Sequence, residues 1–128
     1  MNKYIEINIC ISGHGLSPDK ITEKLRQSPT SIKKNAIDET GELVDVWYYT
    51  IRRESCLSLS DAFDDLISVF ESKKEEIIEL NDKYKADTFI LVITDIINDE
   101  LPEMTIPVRA SKFAFEIRAD IDFDIYSY

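Results

Sequence analysis

Ile5, Ile7, Ile9 and Ile11 alternate with Tyr4, Glu6, Asn8 and Cys10 near the start of the chain. Successive side chains of a strand point to opposite faces, so this run is a strand with one face in a core. It meets Gly13-His14-Gly15, then Ser17-Pro18-Asp19, then a helical pattern carrying Ile21 and Leu25. Ser17 caps that helix, Pro18 takes its first position, and Pro29 marks its end. A strand that turns so early into an amphipathic helix calls for a layered fold, with helices covering a sheet.

The remaining segments extend this pattern. Residues 30–42 are polar and contain Thr40-Gly41; they read as a loop or as one arm of a hairpin. Residues 43–53, LVDVWYYTIRR, are β-branched and aromatic, with apolar side chains on both faces, which suits an interior strand. Leu59, Phe63, Leu66, Ile67 and Phe70 form a helical stripe. Ser72 and Glu75 have the spacing of a capping box opening a second helix, with Ile77, Leu80 and Tyr84 on its buried side. Glu79 and Lys83 are spaced as an i, i+4 pair on its solvated face. Residues 88–94, TFILVIT, form a continuous apolar run of strand length, expected near the centre of the sheet. Residues 95–104 read as a loop with Pro102. From Phe113 to Ile125 every odd position is apolar, which fits one long strand. A helix over 107–117 followed by a short strand over 119–126 is the alternative, and it leaves Val108 and Phe115 on the far side.

The pattern resembles a known family. ISGHGLSPDKITEKLRQSPT near the start, VWYYT at 46–50 and ADIDFDIY at the end, in this order and at these distances, are similar to the bacterial family called domain of unknown function 4279. The resemblance covers nearly the whole chain. It implies a helix before the final Asp-x-Tyr strand, which favours the helical reading of 107–117. Relatives usually carry an acidic residue where His14 stands, and often a glycine where Arg118 ends that helix. The family has no established activity to carry over.

The residues exclude several function classes. With 15 Lys plus Arg against 25 Asp plus Glu, the net charge is −10. Phosphate recognition needs clustered cations, so neither nucleic acid nor an anionic membrane is an expected partner. Cys10 and Cys56 are too few for a disulfide framework or an all-protein zinc site. They fit a reducing compartment, and the protein is expected in the cytoplasm. Gly13-His14-Gly15 is not a dinucleotide fingerprint, because Pro18 holds the third glycine's place and has no N–H for phosphate. His14 has no further ligands at metal-binding spacing, and the sequence does not place Ser12 or Ser17 in the geometry of a nucleophile beside it. Asp120-x-Asp122-x-Asp124 is not a calcium loop, because Ile125 occupies the position that needs glycine. No catalytic residue, metal ligand or cofactor is assigned, and a non-catalytic role is favoured.

The expectation is one domain over 1–128: an α+β two-layer sandwich with a four- to five-stranded antiparallel or mixed sheet and helices packed on one face. The opposite face is the expected binding surface, with Tyr4, Asp120, Asp122, Asp124 and Tyr126, joined by Glu6 and Asn8 and by one of Trp47 and Tyr48. Carboxylates among aromatics suit a basic protein, since acids steer the encounter and aromatics anchor it. The expected role is a small protein-binding module, for example an immunity-type neutraliser of a basic bacterial protein. The alternatives are a small-molecule binder or modest enzyme with a pocket at the Gly13–Ser17 corner near Trp47, or a subunit of a larger complex.

Overall fold

A computed structural model describes residues 4–54, 58–96 and 103–127. The elements run β1 (Tyr4–Ser12), α1 (Pro18–Leu25), β2 (Ser31–Ile37), β3 (Leu43–Glu54), α2 (Leu59–Phe70), α3 (Lys74–Tyr84), β4 (Asp87–Ile96), α4 (Val108–Glu116) and β5 (Asp120–Ser127). The strands form a five-stranded mixed sheet in the order β2-β3-β1-β4-β5. β1 is antiparallel to both β3 and β4, β2 is antiparallel to β3, and β5 lies parallel to β4. The α+β fold and the helix over 107–117 are as expected, and residues 30–42 supply a hairpin arm.

The alternation in β1 sets the layering. Ile5, Ile7, Ile9 and Ile11 are fully buried, together with Val92, Ile90 and Trp47 from the flanking strands. They pack with Ile21 and Leu25 of α1, Phe63, Leu66 and Phe70 of α2, Ile77 of α3 and Phe113 of α4. Phe70 stacks edge-on against Tyr49 and Trp47, with centroids 5.1 Å and 6.3 Å away. Each fully buried side chain of this size is worth about 1.5–3 kcal/mol in transfer terms, so this layer dominates the fold's stability.

Three local expectations are corrected. The Ser72–Glu75 capping box does not form: α2 passes through a 3-10 turn at Glu71–Lys73 directly into α3, and Lys73, without a side-chain cap bond, precedes α3. The turn continues from α2, so α3 lacks the open N-terminus that a serine would cap. Glu79 pairs with Lys24 of α1 instead of with Lys83, tying the two helices together. Of the expected loop over 95–104, Asp95 and Ile96 belong to β4 instead, and Pro102 lies outside the described residues.

Three helices end on a basic residue in the left-handed conformation: Arg26 (φ 53°), Lys85 (φ 50°) and Arg118 (φ 57°). After α4, the Arg118 N–H reaches Phe115 O at 3.1 Å and the Ala119 N–H reaches Ala114 O at 2.8 Å. That is the Schellman pattern, which glycine favours because it has no Cβ to clash. A cation there complements the negative end of the helix dipole, partly offsetting the strain. Among the described residues no helix is long and apolar enough to cross a membrane.

Candidate functional site: the open face of the sheet

All the helices named above pack on the isoleucine face of β1. Among the described residues, the opposite face is built from strand side chains. Register places Tyr4, Glu6, Asn8, Cys10 and Ser12 of β1 beside Glu54, Arg52, Thr50, Tyr48 and Val46 of β3. On the other flank, Glu6, Asn8, Cys10 and Ser12 stand beside Ile93, Leu91, Phe89 and Asp87 of β4. Beyond these, Asp120, Asp122, Asp124 and Tyr126 of β5 pair with Phe89, Leu91, Ile93 and Asp95.

The face divides into three zones. Its centre is apolar: Cys10, Val44 and Val46 are buried, with Ala36, Tyr48, Phe89 and Leu91 half-buried around them. Burial, with the Asp122 carboxylate adding to it, pushes the Cys10 thiol up to about 12, so it is a packing group rather than a nucleophile. Burial also raises the Tyr48 phenol, with Cys10 as the smaller cause.

A polar network occupies one end. Asn8 accepts from the Thr50 hydroxyl at 2.6 Å and donates to Leu91 O at 3.2 Å. The Arg52 guanidinium lies 3.7 Å from the Tyr4 ring centroid, between Glu54 (2.7 Å) and Glu6 (3.7 Å). The Tyr4 hydroxyl donates to Asp95 at 3.3 Å. The far edge is acidic, formed by the three β5 carboxylates, with the Tyr126 hydroxyl donating to Asp124 at 2.8 Å.

Of the expected site residues, the structure brings Tyr4, Tyr48, Asp120, Asp122, Asp124 and Tyr126 onto this one face. Trp47 is corrected. Its register partner is Ile11, so it points into the helix layer, where it is fully buried and donates from Nε1 to the Thr22 hydroxyl at 3.1 Å. It has no surface to offer a partner. Sequence reasoning missed Phe89 and Leu91, whose run is apolar on both faces and hides its outward side. It weighed Arg52 as solubility or recognition without placing it on this face, where it is the basic counterweight at the polar end.

Packing and charge pairing hold the Gly13–Ser17 corner in place. A Cβ on Gly13 would lie 3.2 Å from Ala86 Cα, and Gly15 has φ 70°. His14 bridges the β2–β3 turn, with Nε2 2.7 Å from Asp38 and Nδ1 2.9 Å from Glu42. Both ring nitrogens are therefore engaged by carboxylates. Asp38 is lowered to about 2, chiefly by the Thr40 hydroxyl, with the Glu42 and Thr40 N–H groups and His14 contributing. Beside the corner is a depression of about 380 Å³ lined by Gly13, Ser17, Asn35, Leu43 and Asp45 among others; Trp47 does not line it. A larger, charged groove of about 1070 Å³ separates α1 from α3. Among the described residues no group of three or more His, Cys, Asp or Glu is placed to hold a metal ion.

Comparison with known families matches residues 3–128 to the family described as a domain of unknown function, DUF4279. The chain belongs to the DUF4279 family. The match spans essentially the whole chain, so the five-stranded sheet and its helix layer are this member's version of the domain. No curated protein and no solved structure matches it.

Proposed function

We propose that this DUF4279 protein is a binding module whose open sheet face receives a basic protein surface. One observation carries the reading: an apolar patch built by strand residues is bordered by three carboxylates in a row on β5. Apolar area at the centre supplies affinity, and charge at the rim supplies steering and register. The net charge of −10 strengthens attraction toward a cationic partner. Neutralisation of a basic toxin in an immunity-type role is one activity such a surface would serve. The test is a paired affinity capture from host lysate with the wild type and with Asp120, Asp122 and Asp124 all changed to Lys. A basic partner that binds only the wild type, and leaves as salt rises, supports the reading. Identical captures by both proteins count against it.

The depression at the Gly13–Ser17 corner supports a second reading, binding of a small molecule. A thermal shift with a metabolite, lost in Leu43→Lys, would favour it.

A further inference from the structure

The two edges of the sheet are not equivalent. β2 is interrupted between Lys33 and Ala36, where Asn35 adopts φ 54° and its N–H is taken by the Asp45 carboxylate at 3.0 Å. Such a bulge twists an edge away from further pairing. β5 has no such interruption. Its register with β4 is unbroken from Phe89–Asp120 to Ile96–Ser127, without proline, glycine or bulge. Among the described residues no strand pairs with its outer side. Alternate backbone N–H and C=O groups along β5 therefore point away from the sheet.

The side chains of β5 say what could pair there. Asp120, Asp122 and Asp124 lie on the open face, while Phe123 and Ile125 lie on the other and are each 42% exposed. An added strand would complete the backbone ladder and cover Phe123 and Ile125. Its opposite side chains would meet three carboxylates. A second copy of β5 fits poorly, because pairing like with like sets Asp against Asp, and like charges across a ladder are destabilising.

We propose that β5 is an acceptor edge for an extended segment of the partner in which Lys or Arg alternates with apolar residues, added by β-augmentation. This rests on the reading of the open face as a surface for a basic protein.

The probe is a capped ten-residue peptide of alternating lysine and valine, titrated into the wild-type protein at low salt. Amide hydrogen exchange and amide chemical shifts are followed by NMR. Two control peptides are used: one alternates glutamate and valine, and the other is the lysine peptide N-methylated at every residue, which leaves neither edge an N–H to donate. The expected result is at least about tenfold slower exchange at alternate amides of Asp120–Ser127 with the lysine peptide alone. Equal protection by the glutamate peptide overturns charge selection. Equal binding by the N-methylated peptide overturns strand addition. Shifts at Tyr48, Phe89 and Leu91 without protection of β5 overturn the edge while leaving the open-face reading intact. No response at either place counts against both.

Discussion

Leu91 of β4 is paired in register with Asp122 of β5, so the apolar centre of the open face meets its acidic edge across one strand spacing. That spacing is about 4.8 Å. A partner covering Leu91 therefore brings its own charges within reach of Asp122. The position of this boundary follows from two alternations. β5 puts its acids on the open face and Ile121, Phe123 and Ile125 on the other, while β4 is apolar on both faces.

Arg118 holds a left-handed conformation that glycine adopts without strain. Its ion pair with Asp82, at 2.6 Å, joins two exposed side chains and is worth little. Arg118→Gly should raise stability by about 0.5–1 kcal/mol, read from the urea midpoint at unchanged slope. A loss of stability would show that the Arg118 side chain contributes more than its backbone strain removes.

The Trp47 indole N–H is buried, and the Thr22 hydroxyl is its acceptor. Thr22→Val keeps the shape but leaves the donor unpaired, at a cost of about 1–3 kcal/mol. Thr22→Ser should recover most of that. Trp47 is the chain's single tryptophan, so its fluorescence reports both unfolding curves directly. Equal stability of the valine and serine variants would rule out a role for the hydrogen bond.

Cys10 is fully buried, and its thiol is pushed up to about 12 from an ordinary 9.0. Three pKa units mean about a thousandfold less thiolate at pH 8, and only the thiolate reacts. Alkylation mapped to Cys10 by mass spectrometry should be about a thousandfold slower in the native protein than in urea. Native labelling within tenfold of the unfolded rate would show that the open-face centre is not packed.

Asp38 is held near 2, so its carboxylate is favoured by the fold. A carboxyl whose folded value lies below its unfolded one adds stability above the unfolded value and loses it as pH falls through the folded one. The window here runs from about 4 down to about 2. A carbon-13 carboxyl titration should find the midpoint near 2. Thr40→Ala, which removes the largest cause, should raise it toward the ordinary value. A midpoint unmoved by Thr40→Ala would reassign the cause to the backbone N–H groups.

Strict alternation made β1 legible, and the helical stripe of Leu59, Phe63, Leu66 and Phe70 made α2 legible, because one buried face leaves one period. β3 was harder. Val46, Trp47, Tyr48 and Tyr49 are all large and apolar or aromatic, so periodicity shows a strand but not which side faces the helices. The pairing of Ile11 with Trp47, and of Cys10 with Tyr48, decides it. β2 was half hidden, because an exposed edge strand with Lys33 and Lys34 has no buried face to set a pattern. The partners of His14 come from a turn formed by another hairpin, and nothing local to Gly13-His14-Gly15 announces them. α4 is nearly symmetric between periods of two and 3.6, and only the family resemblance separated the readings.

The proposed partner sits on the strand face and not on the helices. A photo-crosslinking phenylalanine analogue in place of Tyr48, on the open face, and in a second protein in place of Phe115, 83% exposed on α4, tests it in host lysate. A discrete adduct with a basic protein is expected from position 48 and none from position 115. An adduct from position 115 alone, or none from either position, would contradict that placement.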